Sequence, residues 1–164
     1  MTSNLLKWDY VVVGGGLFGV TVAKKLAMGN HNVALIEENE KLATQLEGSV
    51  SIRDFENLKV IYGHGFFDEA GQVVVLDPET GDEQHVVSAG VSIIACGELT
   101  SFLGLAKLGV VLDEHLRIPV DASFQTSAPG IYAVGECSPL GSRLPPQVVA
   151  EQIAASCVQD RSFQ

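Results

Sequence analysis

The sequence predicts an α/β fold: a doubly wound, largely parallel sheet carrying a small antiparallel β-meander. Three observations predict it. Short apolar runs without alternation recur near residues 10–13, 32–37, 58–62, 91–96 and 131–134, as strands buried on both faces do. Stretches of helical character separate several of them, at 17–29, 40–48 and 145–158, and alternating strands and helices build parallel βαβ units. From about 66 to 88 the pattern changes to Val73, Val74 and Val75 among polar turns, chiefly Asp77-Pro78-Glu79-Thr80-Gly81-Asp82. That is the signature of a meander.

The 164 residues are 46% hydrophobic and 18% charged, which suits one packed domain and not a disordered chain. Residues 1–8 are expected to be an exposed lead-in, and 9–160 a single domain. A net charge of -10 without a basic run argues against nucleic acid and anionic membrane surfaces, which need clustered Lys or Arg. No apolar run approaches the roughly 20 residues of a membrane helix. The start of the chain is too polar for a signal peptide. Cys96, Cys137 and Cys157 form no CxxC pair, so free thiols in a reducing compartment, by default the cytoplasm, are expected. The four histidines show no metal-ligand spacing.

Each element carries its own reason. The first strand, 9–14, runs into Gly14-Gly15-Gly16-Leu17-Phe18-Gly19. Gly14 permits a tight turn, Gly16 lets a pyrophosphate approach the backbone, and Gly19 lets the helix pack on the strand. The first N–H groups of that helix lack internal partners and carry the positive end of its dipole, so they attract phosphate. Gly29 and Asn30 end the helix. The second strand ends in Glu37-Glu38, with Glu37 18 residues beyond Gly19, where a carboxylate can bind ribose hydroxyls. Strand, glycine turn, helix, strand and acid together make the Rossmann-like context that gives GxGxxG its meaning, an ADP-containing dinucleotide site. A third strand, 58–62, turns out through Gly63-His64-Gly65. His64 reads as a turn residue ahead of an adenine contact. The strand at 91–96 ends at Gly97, the last strand ends at Gly135-Glu136, and Pro145-Pro146 suit the first turn of the closing helix. Residues 98–129 are the least regular, with a helical turn expected near 103–108. Because ligands on such sheets bind beyond the carboxyl ends of the strands, these strand ends are expected to share one long ligand.

Taken together, these segments resemble the FAD-binding domain of the pyridine nucleotide-disulfide oxidoreductases, of dihydrolipoamide dehydrogenase type. Thr126 to Glu136 is similar to that family's second FAD signature, which usually ends in Gly-Asp. Ile93-Ile94-Ala95-Cys96-Gly97 is similar to its Ala-Thr-Gly strand, and Lys59 to Gly65 to the segment whose backbone meets adenine. Leu108 to Asp121 matches the run before the second signature. The resemblance implies FAD as cofactor. It assigns the pyrophosphate to Gly14, Gly16 and Gly19, with Gly15, Leu17 and Phe18 of the same loop also cofactor-binding, and the adenosine ribose to Glu37, with Glu38 and Glu40 as alternatives. It further assigns backbone contacts with adenine to Gly65, cofactor binding to Ala95, Cys96, Gly97 and Gly135, the ribityl or pyrophosphate to Glu136, and the flavin's vicinity to Pro146 and Gln147.

The departures bear on activity. Residues 39–58 hold no cysteine pair and no second GxGxxG follows, so the chain is expected to lack the nicotinamide and interface domains. Disulfide reduction by the family's route is not supported. Two other readings stay open. One is an NAD(H)-binding Rossmann domain. The other is a non-catalytic scaffold that associates with itself or a partner chain through uncovered apolar surface. Cys96 and Cys137 end strands expected to be neighbours, and read as buried apolar thiols ahead of a redox pair.

Overall fold

The structure, a computed structural model, describes residues 4–96, 104–140 and 143–161. The elements run β1 (Asn4–Val13), α1 (Leu17–Met28), β2 (Val33–Glu37), α2 (Glu40–Gly48), α3 (Val50–Arg53), β3 (Leu58–Tyr62), β4 (His64–Phe67), β5 (Val73–Leu76), β6 (Glu83–Ile94), β7 (Ile131–Ala133) and α4 (Pro146–Arg161). The sheet order is β3-β2-β1-β6-β5-β4, with β7 also paired to β6. The β3-β2-β1-β6-β7 run is parallel, and the β6-β5-β4 ribbon is antiparallel. This is the expected α/β sheet with its meander.

Three boundaries differ from expectation. β1 begins at Asn4, not at Asp9, because residues 4–8 pair in parallel with 85–89 of β6. The meander's last strand and the buried strand at 91–96 are one strand, β6. Of residues 83–90 only Val87 is buried, the rest being exposed or half-buried, whereas 91–94 are all buried. That change of pattern made one strand read as two. The short α3 was not foreseen, and Ile52 buries it against the core.

Two apolar clusters fill the two faces of the sheet. Helices α1 and α4 pack together and bury Val22, Leu26, Val149 and Ile153 with Tyr10, Val12, Leu35 and Ile93. Ala43 of α2 and Ile52 of α3 join the same cluster. The other face, with Val11, Val13, Ile36 and Ile94, is covered by Phe67, Val73 and Val75 of the meander and by Leu105, Val110 and Ile118. Strands and irregular chain therefore do on that face what helices do in a doubly wound sheet. Among the described residues no helix is long and apolar enough to cross a membrane.

The irregular stretch is ordered by a repeated device. At Asp68, Asp113 and Asp121 the backbone N–H donates to the carbonyl four residues on, at 2.8–3.0 Å. The carboxylate of each accepts N–H groups two and four residues on, at 2.8–3.0 Å. The fourth position of each turn has positive φ and holds Gly71, Leu116 or Phe124. Aspartate suits the first position because its carboxylate imitates a backbone turn acceptor.

Two of these carboxyls are held below the ordinary aspartate value. The Arg117 N–H does so for Asp113, helped by the N–H of His115 and opposed by burial. At Asp121 burial pushes upward, and the Ser123 hydroxyl with the N–H groups of Gln125 and Ser123 outweighs it. A depressed folded pKa stabilises the fold above the unfolded value, about pH 4, and that stability is lost as pH falls through the folded value. The urea midpoint is therefore expected to fall between about pH 5 and pH 3. In Asp113→Asn/Asp121→Asn, whose amides still accept hydrogen bonds but do not titrate, the decline should be shallower. Equal slopes in both proteins would refute the assignment.

Candidate functional site

The strand order reverses between β1 and β6, since β2 and β3 lie to one side of β1 and β6 to the other. That is the switch point at which a crevice opens beyond the strand ends. Gly14 leaves β1 there with φ of +114°. A Cβ on it would lie 2.5 Å from the Ala95 carbonyl oxygen at the end of β6. A Cβ on Gly19 would overlap the Gly14 carbonyl oxygen. Both glycines are thus required by the close approach of loop, helix and neighbouring strand. Gly16 differs: it is exposed, and a Cβ there would meet nothing within 4 Å. It borders open space.

Helix α1 starts at Leu17 with no side-chain cap and no acidic residue in its first turn. The positive end of its dipole is therefore uncompensated by the chain itself. Leu17 is 72% exposed, whereas Phe18 is half-buried. The Phe18 ring lies against Gly135, where a Cβ would be 3.3 Å from its Cδ2. Gly135, with φ of +77°, follows β7. The glycine loop and the turn after β7 therefore meet directly through Phe18, a contact the sequence did not disclose.

Glu37 is 8% exposed, a charge inside the fold. Its Oε1 accepts the Gly15 N–H at 2.7 Å and its Oε2 accepts the Asn39 N–H at 2.7 Å. Asn39 in turn caps α2 by accepting the Leu42 N–H at 2.9 Å. Glu37 thus ties the glycine loop to the start of α2, a role beyond the ribose contact expected of it. Backbone N–H donors suit a buried carboxylate, because each offsets part of its lost hydration. Glu38 is exposed, and its Oε2 lies 2.8 Å from His64 Nδ1. His64 is the first residue of β4, so it pairs with a carboxylate next to the ribose candidate. Gly65 is buried in β4 opposite Val75, its missing side chain replaced by Ile36 and Val73.

At the other end, Ala95 donates its N–H to the Val13 carbonyl at 2.8 Å. The Cys96 thiol donates to the same carbonyl at 3.3 Å. The Cys137 thiol donates to Val134 at 3.1 Å and to Ile94 at 3.5 Å. Both thiols are free. Burial pushes Cys96 up to about 12, with the neighbouring Cys137 and the Glu38 and Glu37 charges adding to it. Burial likewise raises Cys137 to about 12, against nearby N–H groups and the Arg117 charge. Neither is a thiolate near neutral pH, which is what nucleophilic sulfur chemistry requires. Glu136 is exposed, and its carbonyl accepts from Arg117. Pro146 and Gln147 open α4. Gly97 lies outside the described residues.

The structure thus groups Glu37, Glu38, His64 and Gly65 around the ends of β2 and β3. It brings Gly14 to Gly19, Ala95 and Gly135 together at the ends of β1, β6 and β7. Arg117 is the participant that sequence reasoning passed over. Its segment was legible only as part of a resemblance.

Comparison with known proteins agrees with this geometry. The mitochondrial dihydrolipoyl dehydrogenase of Pisum sativum is 28% identical over 161 residues, covering 91% of this chain and 31% of that protein. The dihydrolipoyl dehydrogenase of Thermus scotoductus is 33% identical, over 77% of this chain and 30% of that one. The chain spans about a third of the length of these curated relatives. A crystal structure of an oxidoreductase from Agrobacterium tumefaciens superposes with a TM-score of 0.68 at 13% identity, covering 96% of this chain and 99% of that one. At that identity the likeness establishes the fold alone. The profile of the family described as pyridine nucleotide-disulphide oxidoreductase matches residues 4–156, and on that match the chain belongs to this family.

Proposed function

We propose that the chain, from Asn4 of β1 onward, forms one FAD-binding domain of oxidoreductase type. The observation that carries the reading is the contact of Phe18 with Gly135, which joins the two candidate signature loops into one surface. The open space at Gly16 and the uncapped start of α1 suit the pyrophosphate. Glu37, with Glu38 beside it, suits the adenosine ribose. Gly135 and Glu136 suit the flavin-side half of the ligand.

When bound, the flavin supplies two-electron redox chemistry, and the protein supplies binding and electrostatics. This chain's own residues hold the dinucleotide, keep the glycine loop in shape through Glu37, and present the turn after β7. No thiol exchange is assigned to Cys96 or Cys137, since both are held protonated by burial.

The test is an absorbance spectrum of the purified chain before and after incubation with FAD and desalting. Flavin bands retained at near one equivalent are expected, with ADP displacing them. A colourless protein that still binds NADH would transfer the site to NAD(H). One that binds neither would defeat the dinucleotide reading altogether.

A further inference from the structure

Three consecutive carbonyls of the turn after β7 are held by one short segment. Arg117 Nε donates to the Glu136 carbonyl at 3.2 Å, and Nη2 donates to the Ser138 carbonyl at 3.0 Å. Between them the Ile118 N–H donates to the Cys137 carbonyl at 2.7 Å. The clamp is itself fixed. Asp113 accepts the Arg117 N–H at 3.0 Å through Oδ1, and the Asp113 N–H donates to the Arg117 carbonyl at 2.8 Å. Ile118 and Ser138 are both fully buried. Arginine suits this place because its planar fork presents separate donors to two acceptors in a fixed geometry, and a lysine ammonium lacks that fork.

The turn so held contains Gly135, which lies against Phe18 of the glycine loop. The clamp sits at the end of β7, on the β6 side of the sheet, whereas Glu37 ends β2 on the far side of β1. It therefore acts on one half of a ligand that crosses the strand ends. We infer that Arg117 is a positioning residue for the flavin half of the dinucleotide, setting turn 135–138 against Phe18. The inference rests on the FAD reading above and adds to it which side chain orders the flavin-side turn.

The experiment compares ADP and FAD binding by titration calorimetry for the 164-residue chain, Arg117→Ala and Arg117→Lys. Thermal melts of all three are recorded alongside. ADP probes the adenosine and pyrophosphate part and lacks the ribityl chain and flavin ring. In Arg117→Ala, FAD affinity is expected to fall about tenfold, the order for losing charge-assisted hydrogen bonds. ADP affinity should stay within about twofold, a difference too small to register a lost contact. Arg117→Lys, which keeps the charge and loses the fork, should lie between. Equal losses for ADP and FAD, or unchanged FAD affinity, would overturn the inference. If Arg117→Ala does not fold, Arg117→Lys decides by the same comparison. An unsubstituted chain that binds ADP and not FAD would defeat the flavin reading before any variant is made.

Discussion

Gly19→Ala is expected to abolish flavin retention and to destabilise the fold by about 1–3 kcal/mol. Two effects oppose each other. Alanine is the better helix former, worth roughly 0.5–1 kcal/mol in a helix interior. Its Cβ, however, would overlap the Gly14 carbonyl oxygen and come within 3.3 Å of the Ala95 Cβ. Backbone is the obstacle, so no side chain can swing aside, and either α1 lifts from β1 or the glycine loop opens. Either movement displaces the N–H groups at the start of α1. Gly16→Ala is the control, because a Cβ there meets nothing within 4 Å. It should leave the unfolding free energy within about 0.5 kcal/mol of the parent's, as open surface sites do, while crowding the ligand. Binding lost in both variants, with stability lost only in Gly19→Ala, would separate the packing glycine from the ligand-facing one. A Gly19→Ala protein as stable as the parent would contradict this packing of α1 on the glycine loop.

Phe124→Ala is expected to cost about 3–5 kcal/mol of stability. Phe124 is fully buried in the cluster that holds Tyr132, Val134 and Val149. Its carbonyl accepts the Ala133 N–H at 3.0 Å, and its N–H donates to Asp121 at 3.0 Å. It also sits at φ of +68°, a conformation that costs a non-glycine residue on the order of 1 kcal/mol. The ring's burial outweighs that strain. Phe124→Gly would therefore relieve the backbone and still lose most of the stability, because the apolar volume goes with the ring. Phe124→Leu, keeping much of that volume, should cost markedly less than either. Urea denaturation of the three variants checks the order. A Phe124→Gly chain as stable as the parent would show that backbone strain at this position outweighs the packing of the ring.

The parts of this molecule legible in its sequence are those whose causes are local. A glycine needed for a turn, an apolar strand buried on both faces, and a helix stopped by Gly29 and Asn30 each leave a mark within a few residues. The glycine loop and both its flanking strands were therefore readable. Residues 4–8 were not, because they gain their strand only by pairing with 85–89 of β6. The segment from 104 to 129 was opaque for a related reason. Its order comes from turns closed by Asp113 and Asp121 and from a bridge of Gln125 to Tyr132. Aspartates heading five-residue turns were the available signal, and they went unread. Arg117 left no local trace, since its acceptors lie 19 and 21 residues away. Glu37 was identified from its place at a strand end. Its capture by Gly15 and Asn39 emerged only in three dimensions.

The length of β6 has a consequence for how this chain is born. Asn4 of β1 pairs with His85, 81 residues downstream, and every other strand but β7 is made in between. At roughly 5–20 residues per second of synthesis, β1 waits about 4–16 seconds on the ribosome before its neighbour emerges. Throughout that interval one edge of Tyr10-Val11-Val12-Val13 stands open. An unpaired apolar edge is a template for the wrong partner, so co-expressed holding chaperones should raise the soluble yield of this chain.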